Sequence, residues 1–347
     1  MASCGQTDTS EKGAGSELLP GLIACGLPDG PVAVFWGTDQ GVGPPSDMSG
    51  APQGADIWSI TAEGQVAQIT DDERSFEPRL SPDGERLYFT RGPGGILGGG
   101  TAPATEAWVR DLATGEERLL LEMAESDIKN VSGSPNGNML AFTASATGEQ
   151  RVYLLDITAP GAEPTLIPLP PDEDGRQNGT VEPAWDLQGR RLAYLAYETR
   201  QWVGRSWTVR VFDLETRDDV AIYQPDGEPP SNLRSLDWSA DGRSVHFIES
   251  AEPVDGAAQG QDVVSISIEN RERNVVARDV TGYGVAALTA DGGTLAAIGY
   301  PGERPSAPVL TVSRLGEVEV KDMPVRLSYA DVLHVARCAI PGSDVSP

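Results

Sequence analysis

At 347 residues, with 39% hydrophobic and 22% charged side chains, the chain has the composition of a folded globular protein rather than a disordered one. Its net charge of −26, from 52 acidic against 26 basic residues, argues against nucleic acid or an anionic lipid surface as partner, because both present phosphate. The 40 glycines and 27 prolines favour many turns and short strands over long helices.

The chain opens on "MASCGQTDTSEKGAGSE", a polar, Gly/Ser-rich stretch that reads as a flexible tether over residues 1–19. Ala2-Ser3-Cys4-Gly5 resembles the tail of a bacterial lipobox, which implies a lipid anchor on Cys4 after removal of an upstream signal. The alternative is an accidental small-residue N-terminus. No run of about 18 apolar residues follows, so no membrane-spanning helix is expected.

From residue 20 onward one unit recurs. Pro28-Asp29-Gly30 is followed by Pro82-Asp83-Gly84, Pro135-Asn136-Gly137, Leu187-Gln188-Gly189, Ala240-Asp241-Gly242 and Ala290-Asp291-Gly292. The glycines stand 54, 53, 52, 53 and 50 residues apart, a period too regular for chance. A short strand precedes each turn and an alternating one follows it, as in "VAVFW", "RLYFT", "MLAFT", "RLAYL", "SVHFI" and "TLAAI". Third strands read "DIWSIT", "EAWVRDL", "RVYLLDI", "TVRVFDL", "VVSISI" and "VLTVSRL", and a fourth follows each after a Gly or charged turn. Alternation of apolar and polar residues marks half-buried strands, and Asx-Gly supplies the positive φ of a tight hairpin.

Four antiparallel strands every fifty-odd residues predict an all-β fold. The expectation is a six-bladed β-propeller of four-stranded antiparallel blades occupying residues 20–342, with blades starting near 20, 74, 128, 180, 232 and 283. A remaining segment, "RLSYADVLHVARCAIPG" (326–342), predicts a closing clasp strand over 326–340 against the first blade, with 343–347 as a tail. That packing would bring Cys338 near Cys25. A disulfide there would close a loop of about 300 residues, worth on the order of 5 kcal/mol. Two buried, unpaired thiols are the alternative.

"FEPRLSPDGERLYFT", "VEPAWDLQGRRLAYL" and "LRSLDWSADGRSVHFI" resemble the WD-like Pro-Asp repeat of the TolB-like propellers over about residues 20 to 325. The resemblance implies an extracytoplasmic protein of the bacterial cell envelope, monomeric, that binds a protein or peptide and meets the membrane only through an N-terminal lipid. It implies no cofactor.

No catalytic constellation is complete. Gly-x-Ser-x-Gly is absent, and the residues after 325 leave no room for an appended hydrolase domain. His246 and His334 are too few for the multi-histidine metal site of the similar oligogalacturonate lyases. The acidic loop "PPDEDGRQNGT" (170–180) lacks the spacing of a calcium loop, and the Gly-rich 91–103 opens no helix that could hold phosphate.

A site is instead expected at the channel mouth, where loops lead into the innermost strands. Aligned on the turn glycines, that register holds Ile23, Glu77, Asn130, Glu182, Ser235 and Val285, with Arg234 and Tyr283 close by. Glu77, Asn130, Glu182, Arg234 and Tyr283 are therefore the candidate ligand or partner contacts; solvating the mouth is their plainer role. Tyr197, Trp202 and Trp207 in "YETRQWVGRSW" are a second candidate, as exposed aromatic anchors for a partner or sugar, with packing against the neighbouring blade as the alternative. They, with Glu77 and Glu182, also suggest a carbohydrate-binding or carbohydrate-active alternative. A Ca²⁺-stabilised module is a third reading.

Overall fold

A computed structural model describes residues 31–38, 55–61, 65–92, 104–145, 149–168, 177–200, 204–226, 231–239, 241–250 and 261–278. It also describes the strands at 286–288, 294–299, 309–314, 317–322 and 329–335. Every sheet among the described residues has four antiparallel strands.

Five such blades, not six, are built from four consecutive strands. Blade A holds β4 (Ser75–Leu80), β5 (Arg86–Arg91), β6 (Glu106–Asp111) and β7 (Glu117–Glu122). Blade B holds β8 (Ile128–Gly133), β9 (Met139–Ala144), β10 (Arg151–Asp156) and β11 (Thr165–Leu166). In blade C, β12 (Gln177–Trp185), β13 (Arg191–Arg200), β14 (Gly204–Asp213) and β15 (Asp219–Tyr223) pair in sequence. Blade D holds β16 (Asn232–Trp238), β17 (Ser244–Ser250), β18 (Gln261–Ser267) and β19 (Arg273–Ala277). Blade E holds β20 (Ala286–Leu288), β21 (Thr294–Gly299), β22 (Val309–Arg314) and β23 (Glu317–Asp322).

The remaining sheet corrects the expected six complete blades with a separate clasp. Its order is β24 (Tyr329–Val335), β1 (Pro31–Thr38), β2 (Asp56–Thr61) and β3 (Val66–Gln68), so the C-terminal strand takes the innermost place beside β1. The N-terminal part supplies only three of its strands. A composite sheet of this kind ties the two ends of the chain together with backbone hydrogen bonds, whether or not a disulfide joins them. Cys4, Cys25, Cys338 and Ile23 lie outside the described residues.

Alternation along each strand explains how blades adhere. In β13, Leu192, Tyr194 and Ala196 pack with Ala141, Val152 and Leu154 of blade B, while Ala193, Leu195 and Tyr197 pack with Leu233, Trp238 and Phe247 of blade D. Two further seams follow the same rule, one of Phe142, Leu140 and Tyr88 between blades B and A, and one of Phe89, Leu87, Trp36 and Ile57 between blade A and the composite sheet. Tyr88 lies so close to Gly133 that a Cβ there would stand 2.0 Å from its ring, so the seam requires glycine.

The hairpin turns are knotted alike. Ser81, Ser134 and Ser239 each donate their hydroxyl to the Asx side chain two residues on, and each accepts the backbone N–H of the residue that opens the second strand. In blade C Asp186 takes that place and accepts the N–H groups of Arg190 and Arg191. The turns also touch their neighbours: Arg86 donates to Pro135 O at 3.4 Å and Arg191 to Gly242 O at 2.9 Å. The indoles of Trp185 and Trp238 donate to Ser132 O and Ala184 O of the preceding blade, at 3.1 and 2.9 Å.

Candidate functional site

The predicted mouth register coincides with a repeated backbone irregularity. Glu77, Asn130, Glu182 and Ser235, each seven residues before its turn glycine, have φ of 49°, 51°, 53° and 57°. Strand pairing skips at the same places, between Phe76 and Arg79, Lys129 and Ser132, Val181 and Ala184, and Arg234 and Asp237. A non-glycine residue held in the left-handed region costs on the order of 1 kcal/mol or more and persists only where surroundings enforce it. Such bulges re-aim side chains, here at the inner strand of four blades in a row.

The enforcing contacts run from blade to blade. The Asn130 N–H donates to Glu77 Oε2 at 2.6 Å, linking blades A and B. The Leu236 N–H donates to Glu182 Oε2 at 3.1 Å, and the Ser235 N–H adds to that bond, linking blades C and D. Each carboxylate thus accepts an amide that the next blade's bulge frees from its own ladder, answering a buried donor that would otherwise be unpaired. Both glutamates keep intermediate solvent exposure although protein surrounds them.

Enclosure sets their protonation. Burial pushes the Glu77 carboxyl up to about 7; the Asn130 N–H and the Lys129 ammonium oppose that rise, and Asp127 and Glu182 add to it. Burial likewise raises Glu182, opposed by the Leu236 N–H, Arg79, the Ser235 N–H and Arg234. Lys129 holds Asp127 at 2.8 Å.

Beneath the glutamates a brace crosses the ring. Arg79 leaves blade A and donates to Pro183 O of blade C at 2.7 Å and to Leu236 O of blade D at 3.1 Å, and it pairs with Asp237 at 3.3 Å. The sequence reading missed both residues. A signal was present: five residues before the turn glycines stand Arg79, Ser132, Ala184, Asp237 and Ala287, two opposite charges among small residues.

Of the other candidates, Arg234 donates to Gln261 Oε1 at 2.6 Å while remaining close enough to act on Glu182. Tyr283 and Trp202 lie outside the described residues. Tyr197 and Trp207 are a correction: they sit opposite one another on β13 and β14 with ring centroids 5.2 Å apart, buried at 7% and 8% exposure, and so form core rather than an exposed aromatic anchor. Continuation of both strands past the expected loop is what buries them. His246 lies on β17 opposite Asp237, and the side chain of His334 on β24 is outside the description. Asp172, Glu173 and Asp174 are outside it too. Among the described residues no group of three or more His, Cys, Asp or Glu could hold a metal ion.

No family model and no curated protein matches this chain. Solved structures do. A TolB from Acinetobacter baumannii superposes with a TM-score of 0.57 at 13% identity, over 89% of this chain and 67% of that one. The fold is a β-propeller. A putative TolB from Agrobacterium tumefaciens gives 0.52 at 15% identity over 77% and 84% of the two chains. The hydrazine synthase of Kuenenia stuttgartiensis gives 0.52 at 14% identity, over 90% of this propeller and 48% of that protein.

Proposed function

We propose that this propeller is a non-catalytic binding module whose channel mouth receives a basic segment of a protein or peptide partner. The observation that carries the reading is the contrast along each inner strand. The turn end repeats one knot in blade after blade, whereas the mouth register changes identity from Glu to Asn to Glu to Ser on the same strained backbone. A position held in place but varied in chemistry is suited to recognition in addition to the bonds its glutamates make between blades. Charge selects the partner: Asp71, Glu73 and Glu125, in loops leading into β4 and β8, are exposed, and the whole chain carries −26.

The TolB likeness supports a place at the bacterial cell envelope, and the lipobox-like Ala2-Ser3-Cys4-Gly5 is what suggests Cys4 as a point of lipid attachment. The carbohydrate reading retains the two mouth carboxylates, but the buried Tyr197 and Trp207 offer it no stacking surface. A pull-down from envelope extract with the full chain should recover a basic protein in stoichiometric amount, released by moderate salt. Recovery that is unchanged in the Glu77→Gln, Glu182→Gln double variant would place the binding surface elsewhere.

A further inference from the structure

We propose that Glu77 makes the mouth a proton-linked site, in which docking of a cationic segment is coupled to release of a proton from the Glu77 carboxyl. The inference rests on the reading that the mouth is the docking site and adds its regulation.

Geometry supplies the coupling. Glu77 occupies a strained bulge, and its carboxylate is the link between the inner strands of blades A and B. In the ionised form it accepts the Asn130 N–H and leaves the mouth negative. In the protonated form the bond weakens and the negative charge is gone. The charged groups facing it are Lys129 and Asp127 of blade B and Glu182 of blade C, with Arg79 two residues along its own strand. Strand β1 brings no ionisable side chain, and those of β24 lie outside the description. Lys129 already pairs with Asp127, and Arg79 with Asp237, so neither cation is dedicated to Glu77. Among the described residues no cation is dedicated to Glu77, and a carboxyl enclosed in this way is protonated over part of the neutral range, consistent with its rise to about 7. A lysine or arginine entering the mouth would be that counter-ion. The proton it displaces passes to bulk water.

The direction of the pH effect follows. A docking cation favours the carboxylate, so affinity should rise with pH through neutrality and fall below it. A ligand that lowers the Glu77 pKa by about one unit changes affinity about tenfold between the two limits. The test uses the full chain and a fluorescein-labelled hexa-arginine peptide, followed by anisotropy at pH 6 and pH 8 at constant ionic strength. Binding about fivefold tighter at pH 8 than at pH 6, most of the tenfold limit for a one-unit shift, with the dependence flattened in Glu77→Gln, supports the proposal. Equal pH dependence in the variant overturns it while leaving the mouth as a docking site. No binding at either pH overturns the docking reading together with it. Should Glu77→Gln fail to fold, titration of ¹³C-carboxyl-labelled glutamates in the unaltered protein decides: a midpoint near 7 supports the proposal, and midpoints all in the ordinary range near 4 overturn it.

Discussion

At the hairpin end of blades A, B and D a serine binds the same two partners each time, the Asx side chain ahead and the N–H of the second strand. At the mouth end of the same inner strands the backbone is equally uniform but the side chains are Glu, Asn and Ser, with a second Glu in blade C. Both ends join neighbouring blades. The hairpin end does so with arginine and indole donors to backbone carbonyls, and the mouth end with carboxylates that accept backbone amides. The first arrangement is neutral to pH near 7 because guanidinium and indole do not titrate there. The second titrates where Glu77 does. A ring can therefore keep one rigid end while the other answers to protons and ligands.

The largest expected effect lies near the rigid end. Trp238→Ala should destabilise the chain by about 3–5 kcal/mol, since it empties the seam between blades C and D and leaves Ala184 O without its donor. Trp238→Phe keeps most of the volume and should lose about 1–3 kcal/mol. Chemical denaturation of both variants checks this. A Phe variant as damaged as the Ala variant would mean that the indole bond, not the packing, holds the seam.

Much of this contrast was legible in advance. The period of the turn glycines located the inner hairpins of blades A to D, and the same alignment placed Glu77, Asn130, Glu182 and Ser235 in one register. Local propensity suffices for both, because Asx-Gly turns and alternating strands are short-range signals. What could not be read was who meets whom across the ring. Arg79 reaches Pro183 and Asp237, about a hundred residues or more away, and only the comparison of repeats, not any residue adjacent in sequence, sets the two charges apart. Nor did composition reveal that "YETRQWVGRSW" extends two strands far enough to bury Tyr197 and Trp207 in a seam. The six complete blades failed for a similar reason: an innermost strand drawn from the far end of the chain looks, in sequence, like a surplus one.

The cross-ring brace gives an effect of middle size. Arg79→Ala removes donors from Pro183 O and Leu236 O and one partner of Asp237, and should lower stability by about 2 kcal/mol. Because Asp237 is partly exposed, the pair itself should contribute a modest share. A double-mutant cycle with Asp237→Ala should return a coupling of about 1 kcal/mol or less. Coupling near zero, with the single Arg79 variant still damaged, would assign the brace to its two carbonyl bonds.

Stability against pH separates the two ends without any ligand. The Glu77 pKa is raised in the fold above the unfolded value of 4.5, to about 7. The folded chain therefore holds a proton that the unfolded chain has lost in that window. Its contribution to stability is complete below about 4.5 and is lost as pH rises through about 7. Glu77→Gln keeps an amide oxygen for the Asn130 N–H and carries no charge, so its melting temperature should fall less than that of the unaltered protein between pH 5 and pH 8. Parallel curves would show that Glu77 does not titrate in this range.

The smallest effects test strain directly, and here one end should lose stability while the other stays nearly unchanged. Gly242 at the hairpin end has φ of 65°, and an added Cβ would meet the Arg191 guanidinium at 3.3 Å. Gly242→Ala should therefore destabilise by about 1–2 kcal/mol. Ser235 at the mouth has φ of 57° and supplies its N–H, not its side chain, to Glu182. Ser235→Gly keeps that N–H and removes the strain, at the expense of a more flexible unfolded chain. The two terms nearly cancel, so stability should stay within about 0.5 kcal/mol of the unaltered protein or rise slightly. A loss above about 1 kcal/mol in Ser235→Gly would show that the serine side chain itself supports the bulge, and that the mouth register is fixed by side chains as the hairpin end is.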